Sequence, residues 1–193
     1  MKGIELLKVL QKINKPFYTI ADLEKIAGLQ RNSLYVALKR WVAGGIIERV
    51  AQGIYLPMGS VISIETLAAH LYLPNYLSFE SVLAGHGILN LIPYTITFAT
   101  SRKTKRYLLR NQEVEFRQIA RDLFFGFEMR SGIYIASPEK AFLDEVYFLA
   151  RGKAHLDFDE IDVKKLSIKT LKNYSKRFPP YVRSQMEEIL SRC

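Results

Sequence analysis

Arg31, Asn32 and Ser33 follow one another at the start of an amphipathic stretch, and their types suit reading nucleic-acid bases. Arginine bonds guanine through two parallel donors, and asparagine does the same with adenine. Leu34, Ala37, Leu38 and Trp41 recur at helical spacing behind them, which predicts a helix from Arg31 or Asn32 to Ala43 with that stripe inward. Gln30 precedes it, and Arg31, Asn32, Ser33, Tyr35, Lys39 and Arg40 are left outward. Lys39 and Arg40 suit phosphate contacts, as do Arg49 and Gln52 farther along. These nine residues are the candidate DNA-binding set. Trp41 continues the inward stripe and reads as a core anchor, not a base-stacking group.

The elements that must position these residues are legible around them. A first helix carries Ile4, Leu7, Leu10 and Ile13 at helical spacing, and Pro16 ends it. Thr19 with Asp22 three residues on forms an imperfect capping box for a second helix, whose stripe is Ile20, Leu23, Ile26 and Ala27. Gly28 ends that helix and opens a tight turn. Gly44-Gly45 stops the next helix, and Ile46–Val50 and Ile54–Leu56 read as strands joined by Ala51-Gln52-Gly53. Helix, turn, helix and hairpin in this order predict a winged helix-turn-helix over residues 1–57, with duplex DNA as partner.

Pro57-Met58-Gly59-Ser60 reads as a linker, leaving residues 61–193 as a second domain. Helices are expected near Ser63–Tyr72 and Ser78–Gly85. Strands are expected over Thr95–Thr100, Glu113–Ile119, Leu123–Met129 and Gly132–Ile135. Ser137-Pro138-Glu139-Lys140 starts another helix, with serine as N-cap and proline at the first helical position. A last helical region spans Asp162–Leu190, broken at Pro179-Pro180. The fold class expected is α+β: the winged helix, then a mixed α/β domain with a small, mostly antiparallel sheet.

A net charge of +9 calls for an acidic partner, nucleic acid first. Residues 1–57 hold nine basic against four acidic side chains, while residues 122–163 hold four basic and nine acidic. The single cysteine, Cys193, leaves no internal disulfide and suits a reducing cytoplasm. Polar residues interrupt the N-terminal apolar run, so neither a signal peptide nor a membrane span is expected.

Other chemistry is weaker. Ser81, His86 and Asp144 are the types of a hydrolytic triad, but Ser81 falls inside a helical pattern, not on a strand-to-helix elbow. His86 reads as structural. His70 and His155 are isolated, so no metal site is expected. There is no phosphate-binding loop or dinucleotide fingerprint, and no enzyme activity or cofactor is expected. The basic run Ser101–Arg106 reads as a solvated loop, with nucleic-acid contact as the alternative.

Three stretches taken together resemble the AbiEi-type antitoxins and transcriptional regulators of type IV toxin-antitoxin systems. They are Arg49–Tyr55, Tyr76–Gly87 and Ile135–Asp144, read as RVAQGIY, YLSFESVLAGHG and IASPEKAFLD. The resemblance implies a winged helix that represses its own operon and a C-terminal domain that counters a nucleotidyltransferase-like toxin encoded alongside. Direct contact with that toxin is not implied. The alternative reading is a winged-helix regulator whose second domain senses a ligand or forms a dimer.

Overall fold

The computed structural model describes residues 1–155 and 160–192. Cys193, on which the redox expectation rests, lies outside the described residues, as do Asp157 and Asp159 of the acidic stretch. The chain is mixed α/β. It divides into two compact units, Met1–His70 with Leu108–Asn111, and Leu71–Tyr107 with Gln112–Cys193.

The first unit runs α1 (Gly3–Ile13), β1 (Tyr18–Thr19), α2 (Ile20–Ala27), α3 (Arg31–Ala43), β2 (Ile47–Ala51), β3 (Ile54–Pro57) and α4 (Ile64–Leu71), whose last residue lies past the division. Three strands form an antiparallel sheet in the order β1-β3-β2. α1 turns a different face inward from the one its spacing suggested. Leu6 and Leu10 are buried, whereas Ile4 is 66% and Ile13 43% exposed. Gly3 explains the rotation: a Cβ there would stand 2.8 Å from the Ile46 side chain, so the helix approaches through its one residue without a side chain. Asn14 ends α1 in the left-handed conformation at φ +52°. The capping box of α2 is complete, because Asp22 N–H donates to Thr19 Oγ1 at 3.2 Å and Thr19 N–H donates to Asp22 Oδ2 at 2.9 Å.

The expected linker is a closed turn. Ser60 N–H and Oγ both donate to the Pro57 carbonyl, at 3.2 and 2.7 Å, and Gly59 sits at φ +81°. Breaker residues mark a tight turn as readily as a flexible link, and the division between units falls later, after His70.

The second unit runs β4 (Asn75–Leu77), α5 (Phe79–Gly85), β5 (Ile96–Thr100), β6 (Lys105–Leu109, whose last two residues are assigned to the first unit), β7 (Gln112–Gln118), β8 (Phe127–Arg130), β9 (Ile133–Ala136), α6 (Pro138–Leu149), α7 (Ile168–Ser175) and α8 (Pro180–Arg192). Its sheet has six strands in the order β6-β7-β5-β4-β9-β8. The joins β4–β5 and β8–β9 are antiparallel, while β4–β9 and β5–β7 are parallel. The antiparallel joins are those of the sheet expected, and two parallel joins are added to them. Residues 101–104 carry the chain past one place to the edge strand β6, and β7 returns between β6 and β5, which sets β5 and β7 parallel. The segment read as a strand from Leu123 is instead a short helical turn, Arg121–Leu123, followed by β8.

α6 is the centre of this unit. Its residues from Lys140 to Phe148 are all buried, so apolar and charged side chains alike face protein around its whole circumference. Ser137 caps it by accepting from Lys140 N–H at 3.2 Å, with Pro138 at the first helical position, as the sequence suggests.

Candidate nucleic-acid interface

α3 presents the candidate set to solvent. Leu34, Ala37, Leu38 and Trp41 are buried in the core of the first unit with Leu6, Leu23 and Ile47. Gln30, Arg31, Asn32, Ser33, Tyr35, Lys39, Arg40, Arg49 and Gln52 are all exposed. Gln30 is the N-cap residue of α3 but makes no side-chain cap hydrogen bond. The Arg31 guanidinium bonds the Tyr35 hydroxyl one turn on, which, with Glu24, holds its pKa above the ordinary arginine value. Among the described residues, Asn32, Ser33, Lys39, Arg40, Arg49 and Gln52 make no side-chain hydrogen bond or ion pair.

The hairpin lies beside this helix. Arg49 pairs across the ladder with Tyr55, and a bulge between Arg49 and Ala51 precedes the turn. Gly53 takes φ +74° there, a conformation that glycine adopts without strain. A groove of about 430 Å3 separates α3 from the hairpin, and Tyr35, Lys39, Arg49 and Gln52 line it with Leu38 and Val42. The structure therefore gathers four of the nine candidates into one groove. Gln30, Arg31, Asn32, Ser33 and Arg40 lie outside it on the exposed surface of α3.

Val36 joins the outward face and was not singled out in the sequence. It is 60% exposed, one turn from Asn32 and from Arg40. An outward β-branched residue among polar neighbours is the available signal, and such a methyl group suits contact with a thymine methyl. Arg110, from the segment assigned to the first unit, holds Glu48 of β2 through Nε at 2.8 Å and Nη2 at 2.6 Å. Glu48 thus spends its negative charge on Arg110 beside the candidate set.

The other sequence candidates do not converge. Ser81 Oγ pairs with Thr97, at 2.8 Å from its N–H. His86 is exposed at the end of α5, and Asp144 is fully buried elsewhere. His70 Nδ1 contacts the Thr66 carbonyl at 2.8 Å. No group of three or more His, Cys, Asp or Glu side chains among the described residues is arranged to hold a metal ion. No helix among them is long and apolar enough to cross a membrane.

The basic run is anchored, not free. Arg102 lies 4.3 Å over the Tyr72 ring and donates to the Leu73 carbonyl at 3.2 Å, and Arg106 Nε donates to Glu115 at 2.8 Å. Lys105 and Arg106 belong to edge strand β6, where basic residues protect an open sheet edge from further pairing.

Two buried charge clusters in the second unit escaped the sequence reading. Lys140 donates to the Tyr76 hydroxyl at 2.8 Å and to Asp144 Oδ1, while Tyr76 and Ser78 donate to Asp144 Oδ2 at 2.9 and 2.8 Å. The rings of Phe125, Phe178 and Tyr76 surround the ammonium at 5.1 to 5.3 Å. Burial lowers the Lys140 pKa and raises that of Asp144, and each charge opposes the shift on the other. Tyr76 is raised by burial and by the Asp144 carboxylate.

In the second cluster Arg117 binds Glu80 through Nη2 at 2.9 Å, Glu115 through Nε at 2.9 Å, and Glu145 through Nη1 at 3.4 Å. Burial works against the Arg117 charge, but Glu80, Glu145 and Glu115 outweigh it and hold its pKa above the ordinary value. Burial, then the Glu80 carboxylate, pushes Glu145 up to about 8, with Arg117 opposing. Glu145 Oε1 is buried with no hydrogen-bond partner among the described residues. Burial works to raise Glu115 too, but Arg117 and Arg106 outweigh it and hold its carboxyl below the usual range.

Compared with models of known protein families and with curated proteins, the chain matches none.

Proposed function

We propose that the first unit is a winged helix-turn-helix that binds duplex DNA, with α3 in the major groove and the β2–β3 hairpin along the flanking backbone. The observation that carries this reading is the shared groove of α3 and the hairpin, lined by Tyr35, Lys39, Arg49 and Gln52, on a helix whose start is also exposed. Unpaired cations on an exposed face favour phosphate, because no carboxylate among the described residues already pairs with them. Arg31 and Asn32 read bases; Lys39, Arg40, Arg49 and Gln52 hold the backbone; Gln30, Ser33 and Tyr35 complete the contact surface. In line with the resemblance to AbiEi-type antitoxins, the winged helix represses its own operon and the C-terminal domain counters a nucleotidyltransferase-like toxin in the cytoplasm.

Full-length protein titrated with its own upstream duplex and with random duplex tests the reading. Affinity should fall steeply with salt, as phosphate contacts release counterions. Arg31→Ala and Asn32→Ala should cost roughly 1–3 kcal/mol on the operator and little on random DNA, whereas Lys39→Ala and Arg49→Ala should weaken both alike. Salt-independent affinity, or no binding at low salt, overturns the DNA reading. Co-expression with the adjacent toxin tests the antitoxin role separately, and unrelieved toxicity overturns that part alone.

A further inference from the structure

A cleft of about 560 Å3 opens in the second unit between β6, β7 and the C-terminal end of α6. That volume suits a small molecule. Among the described residues four cations line it, Arg106, Arg117, Arg151 and Lys153, against the single carboxylate of Glu115. Behind the wall Arg117 also meets Glu80 and Glu145, and burial raises the Glu145 pKa to about 8; with Glu145 neutral below that, Glu115 and Glu80 leave an excess of two positive charges among the described residues.

The cations differ in what they have left to give. The Arg117 side chain is 14% exposed and its donors are taken by carboxylates, so it is a fixed charge in the wall. Arg106 shares Glu115 from the open side, its side chain 78% exposed. Arg151 donates one Nη1 bond to the Tyr147 hydroxyl at 2.7 Å and lies over that ring, which orients the guanidinium while leaving its other donors for a ligand. The Lys153 side chain makes no hydrogen bond or ion pair among the described residues, and its backbone N–H donates to the Phe148 carbonyl at 2.9 Å.

We propose that this cleft binds a small phosphate monoester, with the phosphoryl group held by Arg151 and Lys153 and its charge balanced by Arg117 and Arg106. A phosphate monoester carries about −1.5 to −2 at neutral pH, which matches the excess in the cleft. The guanidinium offers a planar pair of donors to phosphoryl oxygens, and the ammonium adds a point charge. A nucleic-acid strand would need a positive track continued along its backbone and stacking rings. Here the charge is gathered in one concavity, and Tyr147 and Phe148 are over nine-tenths buried. The site stands whether or not the first unit binds DNA.

Calorimetric titration of the full-length protein with AMP, ribose 5-phosphate, inorganic phosphate and adenosine tests it. The phosphate-bearing probes should bind saturably at millimolar concentration or below, and adenosine should not. Tighter binding of AMP than of the other two identifies a nucleotide, and equal binding of all three identifies the phosphoryl group alone as the ligand; both support the site. Arg151→Ala/Lys153→Ala should weaken binding about tenfold or more with an unchanged circular dichroism spectrum, and Lys153→Ala alone by less. Lys169→Ala/Lys172→Ala, on α7 outside the lining, should leave it unchanged. Absence of saturable binding, adenosine binding as well as AMP, or an unaffected double variant each overturns the proposal. So does an equal loss of duplex DNA affinity in Arg151→Ala/Lys153→Ala, which would make the cleft part of a nucleic-acid surface.

Discussion

Glu145→Gln should stabilise the protein at alkaline pH and leave it nearly unchanged in acid. The folded protein holds a proton on this buried carboxyl up to about pH 8, whereas the unfolded chain releases it near 4.5. The folded state therefore binds more protons across that window, and stability falls as pH rises through it. The gap corresponds to roughly 5 kcal/mol if nothing else responds. Two terms reduce it: the ionised carboxylate gains from Arg117 Nη1 at 3.4 Å, and the amide must find an acceptor for its own donors. A gain of about 2–3 kcal/mol at pH 9 is the expectation, shrinking toward zero near pH 4. Urea denaturation of both proteins at intervals from pH 4 to 9 measures the difference directly. A variant that loses stability as pH rises would refute the reasoning, because Glu145 would then act as an ionised partner of Arg117.

Lys140→Met should cost roughly 3–5 kcal/mol by stranding the Asp144 charge, and adding Asp144→Leu should restore most of it in the same urea melts. Gly126→Ala should lower the thermal midpoint, since its Cβ would stand 3.1 Å from the Lys140 side chain at a backbone φ of +74°. Val36→Ser should reduce preference for thymine at one operator position by about tenfold or less while sparing affinity for random DNA, as read by competition binding.

The helices and the hairpin of the first unit were legible because each carries its own punctuation. Thr19 with Asp22, Gly28 and Gly44 are local signals whose effect does not depend on distant residues. The face of α1 was not legible, because Gly3 matters only through its contact with Ile46. β1 and β4 span two and three residues, too short to display alternation, and only pairing with β3 or with β5 and β9 makes them strands. β6 was hidden by Lys105 and Arg106, which suit an open edge as well as a loop. Within the candidate interface, residue type pointed to the polar set and passed over Val36. The buried clusters did leave a trace. Ala141, Phe142, Leu143, Val146, Tyr147 and Phe148 surround the α6 axis, and a helix apolar on every side must carry Lys140, Asp144 and Glu145 inward with it.

The Lys140 cluster also constrains how this sequence can drift over generations. Tyr76 and Ser78 meet Asp144 across 68 and 66 positions of chain, and Gly126 leaves room for the lysine stem between them. A substitution at any one of these five sites is tolerated only in company: losing the lysine invites loss of the aspartate, and a larger residue at 126 demands a shorter one at 140. Across descendants the five should therefore be kept together or replaced together, so that paired absences among related chains would trace this core more surely than the invariance of any single position.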